Sequence, residues 1–240
     1  MIKYFKLLHK REMYSPGLIG LIINPFYFSR HGLSRAVQEM AGKMSGDLLD
    51  VGCGTKPYQK YFKVKSYIGL DIESPATLKN LIADDFYDGK KFPYDDDVFD
   101  SVLCNQVLEH VFNPEDFLGE INRVLKRRGK LLLTIPFVWD EHEQPYDYAR
   151  YSTFGLKFLM EKSGFKVLEH HRIGADITVL FQLLNAYLFK ISQSWPKVIR
   201  QIFTVVAMGS INVIGALVIK IAPANTDLFL DQIILVEKSS

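Results

Sequence analysis

The chain has 240 residues, 48% of them hydrophobic, and a formal net charge of only +2. That length suits one domain plus decoration, with enough apolar matter for a sizeable core. The charge balance is too weak, and too free of long basic faces, for a nucleic-acid-binding protein.

The opening "MIKYFKLLHKR" is basic and apolar, and "GLIGLIINPFYF" follows, in the manner of a signal peptide. Asn24 and Pro25 interrupt the apolar run and no small-residue cleavage site follows, so the segment is expected to remain in place. From Leu33, the residues Val37, Met40, Ala41 and Met44 recur at helical spacing, and Gly46 closes the run. Residues 1–46 therefore form an N-terminal segment ahead of a main domain over 47–240. Strands are predicted at "DLLDVG", at 66–72, at 81–84 and at 98–105. Asn113 and Pro114 open a helix with Glu115 and Asp116 in its first turn. Phe117, Leu118, Ile121, Val124 and Leu125 form its apolar face, Lys126, Arg127 and Arg128 its last turn, and Gly129 its end. "KLLLTIPF" is the fifth strand. Ser152 or Thr153 caps a helix running to Gly164, "FKVLEHHRI" is the sixth strand, and 228–238 is the seventh. Strands alternating with helices predict an α/β, doubly wound sheet. Cys53 and Cys104 fit neither a metal-ligand spacing nor a disulfide framework, so no metal site and a reducing, cytoplasmic compartment are expected.

The stretch "LLDVGCGTKPY" brings the chain to two glycines spaced by one. Such a turn lets backbone approach a ligand closely. A dinucleotide fold needs a third glycine where this chain has Pro57. Asp50, two residues before Gly52, would repel a pyrophosphate but suits an ammonium group. Asp71 lies about 20 residues beyond the first glycine, the distance at which an acid reaches ribose hydroxyls. Asp84 and Asp85 can accept from an exocyclic amine. Taken singly, Asp71 also reads as a helix cap, Asp84 and Asp85 as turn acids, and Cys53 as a small residue in a tight turn. Together they describe a ligand with a ribose, a purine and an amino-acid ammonium.

These residues resemble a class I S-adenosylmethionine-dependent methyltransferase. "LLDVGCGTKPY" resembles the first motif and "YIGLDI" the second, acid-ending strand. "FPYDDDVFDSVLCNQVLEHVFNPEDFLGEINRVLKRRGKLLLTIPF" resembles the block through strands four and five. The likeness covers residues 47–167 and the last strand. It departs at "KRRGK", where relatives carry a proline and two glycines. It implies a Rossmann-like seven-stranded sheet of order 3-2-1-4-5-7-6, with strand 7 antiparallel, and S-adenosyl-L-methionine as cofactor. Gly52, Cys53 and Gly54 would meet the methionine part, and Asp50 would organise that loop and its ammonium contact. Asp71, beside Ile72, would bind the ribose, and Asp84 or Asp85 the adenine amine. Asn105 and Gln106 would line the cofactor near its methyl group.

The loop "VWDEHEQPYDYARYST" after strand five borders the expected ligand crevice. There His142, oriented by Asp147, is the candidate general base. The competing reading is an Asp147–Arg150 ion pair that only holds the loop, with His142 exposed to solvent. His110, in "VLEH", is a second candidate.

Between strands six and seven, residues 175–227 replace a short turn. Runs 177–189 and 202–219 carry no charge, and the second is long enough for a membrane span. A single crossing would leave strand seven on the wrong side of the membrane. The insertion is therefore a helical cap over a substrate, a homodimer face, or a hairpin resting in one leaflet. The basic N-terminus favours the last, peripheral on the inner face of the membrane. "HEQPYDYARYSTFGL", "NPFYFSRHGL" and "GTKPY" are similar to methyltransferases of cell-surface polysaccharide biosynthesis. They imply O-methylation of a sugar, as a small or lipid-linked acceptor. Methylation of a quinone-like lipid, a non-catalytic membrane scaffold and a nicotinamide-dependent oxidoreductase are the alternatives.

Overall fold

The computed structural model describes residues 2–80 and 82–239. The chain divides into two compact units. One holds Val37–Phe137, Glu141–His171 and the chain from Gln232 onward; the other holds the chain up to Ala36, Val138–Asp140 and Arg172–Asp231. Residues up to Ala36 and the insertion, two segments the sequence reading treats separately, thus belong to one unit.

The first unit is built on seven strands: β1 (Asp47–Val51), β2 (Ser66–Ile72), β3 (Asp85–Tyr87), β4 (Phe99–Asn105), β5 (Leu125–Pro136), β6 (Phe165–Ala175) and β7 (Phe229–Lys238). They form a single mixed sheet of order β3-β2-β1-β4-β5-β7-β6. The boundary between the units falls inside β6 and β7. β1 pairs parallel with β2 (Asp50↔Gly69) and with β4 (Asp50↔Leu103), so its end lies at the centre of the sheet. β1 is buried along almost its whole length, as a strand covered on both faces must be. Helix α5 (Pro114–Val124) lays Phe117, Leu118, Ile121 and Val124 into the core that Leu49, Val102, Leu131 and Leu133 line from the sheet. Helix α6 (Thr153–Lys162) is capped by Ser152, whose hydroxyl accepts from the Gly155 N–H at 3.2 Å, as expected. The short α4 (Pro75–Asn80) went unpredicted.

Two expected boundaries shift. The third strand is 85–87, not 81–84; Leu81 lies outside the described residues. Asp84 closes the start of the ladder instead, its backbone N–H donating to Gly69 O at 2.8 Å and its carboxylate accepting the Gly69 N–H at 2.7 Å, and pairing begins at Leu70↔Asp85. Helix α5 stops at Val124 instead of continuing to Gly129, so Lys126, Arg127 and Arg128 lie in β5 rather than in a last helical turn. The carbonyls of Arg123 and Val124 accept from the backbone N–H groups of Asp97 and Val98, at 3.0 and 2.9 Å. The Arg123 guanidinium donates to the carbonyls of Phe92 and Tyr94 and to Glu120 and Asp96. These partners draw Leu125 into pairing with Phe99. Asn113 does occupy the cap of α5, but without a side-chain bond.

The second unit is helical. It comprises α1 (Ile2–Tyr14), α2 (Gly20–Ile23), most of α3 (Tyr27–Ala41) and α7 (Thr178–Ile191), followed by a long helix, Lys197–Val218. The long helix is α8 (Lys197–Phe203), a π-turn (Thr204–Met208) and α9 (Gly209–Val218) in succession. Helix α3 begins six residues ahead of the predicted Leu33 start, at Tyr27.

A buried polar spine holds this unit together. Glu12 accepts the N–H groups of Gly17 and Gly20 at 2.7 and 2.8 Å. Gln182 accepts from the Phe28 and Ser29 N–H groups and donates to Pro25 O. Asn185 donates to Asn212 Oδ1 at 2.8 Å, and Asn212 in turn donates to the carbonyls of Leu21 and Asn24.

Candidate functional site

The end of β1 turns sharply through the two glycines. Gly52 (φ +67°) and Gly54 (φ +49°) both adopt left-handed backbone. At Gly52 a Cβ would lie 2.4 Å from Val107 Cγ2, whereas at Gly54 nothing stands within 4 Å of that position. The turn is tied to β2 from both sides. Gly52 N–H and Cys53 N–H donate to Leu70 O at 2.8 and 3.1 Å. Gly54 N–H donates to Asp71 Oδ2 at 3.1 Å, while Asp71 Oδ1 accepts from the Ile72 N–H. The two glycines and the acid that closes β2 are therefore one hydrogen-bonded construction.

Asp50 sits beneath this turn, 3% exposed. Burial pushes its carboxyl up to about 7, against the Tyr67 hydroxyl, which donates to it at 2.6 Å, and the nearby Lys56 charge. Asp50, Gly52, Cys53, Tyr58, Tyr67 and Asn105 line a small cavity. Burial likewise pushes the Cys53 thiol up to about 12, which keeps it protonated. Asn105 and Gln106 close β4. Asn105 Oδ1 accepts from the Thr134 hydroxyl at 2.8 Å, and Gln106 (φ +56°) donates its N–H to Thr134 O at 3.1 Å. Thr134 therefore sets the turn that follows β4, a role its place within an apolar strand gave no sign of.

The third-strand acids stand differently from the expectation. Asp84 is level with the middle of β2, where it pairs with Lys56 and the Gly69 N–H. Burial works to raise its carboxyl, but those two bonds hold it below the ordinary value. Lys56 reaches it across Gly69, where a Cβ would lie 2.2 Å from Lys56 Cε. Asp85 accepts from the Tyr94 hydroxyl at 2.8 Å. The acid at the carboxyl end of β3 is instead Asp88, which accepts the N–H groups of Lys90 and Lys91 at 2.9 and 3.2 Å. Sequence reasoning missed Asp88 because it placed the strand too early.

After β4 and β5 a second cluster gathers. Asp147 takes a forked pair from Arg150, at 2.5 and 2.8 Å, and the His142 backbone N–H at 2.9 Å. Burial opposes ionisation, yet these partners pull the Asp147 carboxyl down to about 2. His142 Nδ1 lies 3.2 Å from Asp147 Oδ2, with Arg150 Nη2 3.5 Å from the same nitrogen. One carboxylate thus both holds the loop and faces the imidazole. The His110 ring meets that of His142 edge-on at 4.9 Å, and its Nδ1 engages Tyr146 O at 2.9 Å. Backbone N–H groups of Tyr148 and Ala149 donate to the carbonyl of buried Glu109. Ligand atoms of Glu109, His110 and His142 lie within 4.8 Å of one another, a grouping able to hold a metal ion. Motif spacing did not announce it, because His142 is remote in sequence from the other two.

A mixed sheet of this order, with a glycine turn after β1 and an acid near the end of the neighbouring β2, is a Rossmann-like fold. Residues 49–133 match the family model described as a methyltransferase domain. The uncharacterized protein MJ1123 of Methanocaldococcus jannaschii is 37% identical over 94 residues, 36% of this chain and 43% of that one. A protein of Mycolicibacterium smegmatis, named as a probable S-adenosylmethionine-dependent methyltransferase, is 28% identical over 163 residues, 62% of each chain. The matched segments thus span less than two thirds of either relative. In fold, the chain is similar to Haemonchus contortus phosphoethanolamine N-methyltransferase 2 solved with S-adenosyl-L-methionine. The TM-score is 0.55 at 16% identity, covering 92% of this chain and 55% of that one. Over residues 49–133 the chain thus matches a methyltransferase domain, and the likenesses there are to S-adenosylmethionine-dependent enzymes.

Its residues fit that cofactor. The space open at Gly54 leaves backbone accessible, and the buried Asp50 lies beside the turn as a partner for an ammonium group. Pro57 stands where a pyrophosphate-binding turn needs glycine.

Proposed function

We propose that the protein transfers a methyl group from S-adenosylmethionine to a hydroxyl of a small or lipid-linked acceptor. The observation that carries this is the bond from Gly54 N–H to Asp71, which joins the glycine turn to the acid near the end of β2, beside the buried Asp50. The cofactor supplies a methyl on a sulfonium and so carries its own leaving group. The chain's work is then to position. Gly52 and Gly54 give backbone access, Asp50 receives the ammonium, Asp71 takes the ribose hydroxyls, and Asn105 and Gln106 border the methyl. The partner of the adenine amine is best sought at the carboxyl end of β3, where Asp88 stands, ahead of Asp84 or Asp85. S-adenosylhomocysteine is expected to raise the melting temperature and NAD to leave it unchanged. Stabilisation by NAD alone would favour an oxidoreductase, and by neither a scaffold.

In this reading His142 removes the acceptor proton. With Nδ1 turned to Asp147, Nε2 is the atom that takes it. His142→Ala is expected to lower turnover about a hundredfold while leaving S-adenosylhomocysteine affinity within a factor of two. Because a metal at the same cluster would give a similar loss, turnover is also measured with a chelator, which should not change it. Full turnover by the variant removes His142 from the chemistry.

The sequence likeness to polysaccharide methyltransferases favours a sugar as acceptor, with a quinone-like lipid as the second reading. Transfer of labelled methyl to lipid-linked saccharides, against quinone precursors, separates the two.

A further inference from the structure

A helical unit in water turns its large apolar side chains inward and its polar ones outward. α7 and the Lys197–Val218 helix do the reverse. Along α7, Gln182 and Asn185 are fully buried while Leu180, Leu184 and Tyr187 are exposed. Along the long helix, Gly209, Asn212 and Gly215 face inward. Val198, Ile199, Ile202, Val206, Ile214 and Leu217 face outward, each more than half exposed. In an unbroken helix Gly209 would follow Val205 on the outward stripe, four residues on. The π-turn Thr204–Met208 resets the phase, so that Gly209 packs with a would-be Cβ 2.6 Å from Ile22 O. Small and amide-bearing residues inside and bulky apolar ones outside is the pattern of helices whose solvent is hydrocarbon.

Charge points the same way. From residue 177 to residue 226 there is no acidic side chain, and the only charged ones are Lys190, Lys197, Arg200 and Lys220. They lie at or beyond the helix ends, where cationic side chains meet lipid headgroups. Only 22% of the most apolar window of the long helix is buried, far less than in the core helix of a water-soluble protein. Lys190 is paired with Asp140 at 2.9 Å; a second copy of the chain would bring Lys197, Arg200 and Lys220 to an isologous contact with their own copies, whereas anionic headgroups neutralise them.

We infer that the outward face of α7 and the Lys197–Val218 helix is immersed in one leaflet of an anionic lipid bilayer. Immersion in one leaflet, rather than two crossings, follows from length. The 14 residues of α7 reach about 21 Å, short of a hydrocarbon core about 30 Å thick. The chain must also return from β6 to β7 in the same sheet.

The test is flotation of the full chain with phosphatidylcholine vesicles, with and without phosphatidylglycerol. The protein should float with the anionic vesicles and stay with them through a high-salt wash, because apolar immersion is not screened. Ile202→Glu combined with Val206→Glu should float about tenfold less. Both side chains are outward, so circular dichroism and melting of the variant should match the parent. As a second readout, Trp195 emission in a Trp139→Phe background should shift to the blue on vesicle addition and be quenched by brominated lipid. Failure to float with either vesicle, a detergent-free dimer that stays in solution, or a glutamate variant that floats like the parent would overturn the inference. None of these readouts depends on methyl transfer, so this inference and the catalytic one fail separately.

Discussion

Gly52 and Gly54 share a left-handed backbone but are needed for different reasons, and substitution separates them. Gly52→Ala drives a methyl into Val107, a fixed neighbour, and should cost about 2–3 kcal/mol of stability in a thermal or denaturant melt. Gly54→Ala meets nothing and bears only the backbone strain of about 1 kcal/mol, yet places a methyl where the proposed function brings the cofactor. Its loss should appear mainly in S-adenosylhomocysteine affinity, by titration calorimetry. Asp50 makes a pH-dependent prediction. Folded, its carboxyl keeps a proton up to about pH 7; unfolded, it releases it near the ordinary value of 3.8. The folded state then binds more protons over that window, so this group's contribution to stability falls as pH rises from about 4 to about 7. An ammonium at Asp50 favours the carboxylate, so ligand affinity should instead rise between about pH 6 and pH 8, with release of a proton. Asp50→Asn should flatten both dependences. Asp147 has the opposite sign. Its lowered carboxyl supports the fold above about pH 4, and that support is lost toward its folded value of about 2.

At the scale of elements, the α5–β5 junction rests on Arg123, whose guanidinium joins the helix end to the carbonyls of Phe92 and Tyr94. Arg123→Met should cost about 2–3 kcal/mol, since those carbonyls and Glu120 lose a charged partner together. In the helical unit, Asn212→Ala should cost about 2 kcal/mol, because Asn185 and two backbone carbonyls lose their bonds at once. Both sites mark the limit of what was legible in the sequence. β2 was read to the residue, and the capping hydroxyl of Ser152 was visible, because strand alternation and caps are local signals. The end of α5 was not legible. A basic run followed by glycine looks the same whether it closes a helix or opens a strand, and the decision rests with residues 92–98. Nor could the two apolar runs say which side they bury, since a helix apolar nearly all round carries little directional information. That Asn185 and Asn212 meet each other is a fact of three dimensions.

For the whole molecule, the sheet order was legible from the likeness of its motifs, and with it the placing of Asp50 in β1 and Asp71 in β2. The division into units was not, because the helical unit draws on segments from both sides of the sheet sequence. The order of the strands has a consequence in time as well as in space. β7 lies between β5 and β6, yet it is made after both, and after the whole apolar insertion. While the chain is being synthesised, β5 is an open edge, and the most apolar helices emerge before the sheet can close beside them. A ribosome-bound chain arrested before residue 229 should therefore be cut readily by protease within residues 125–175, and become resistant once β7 has cleared the exit tunnel.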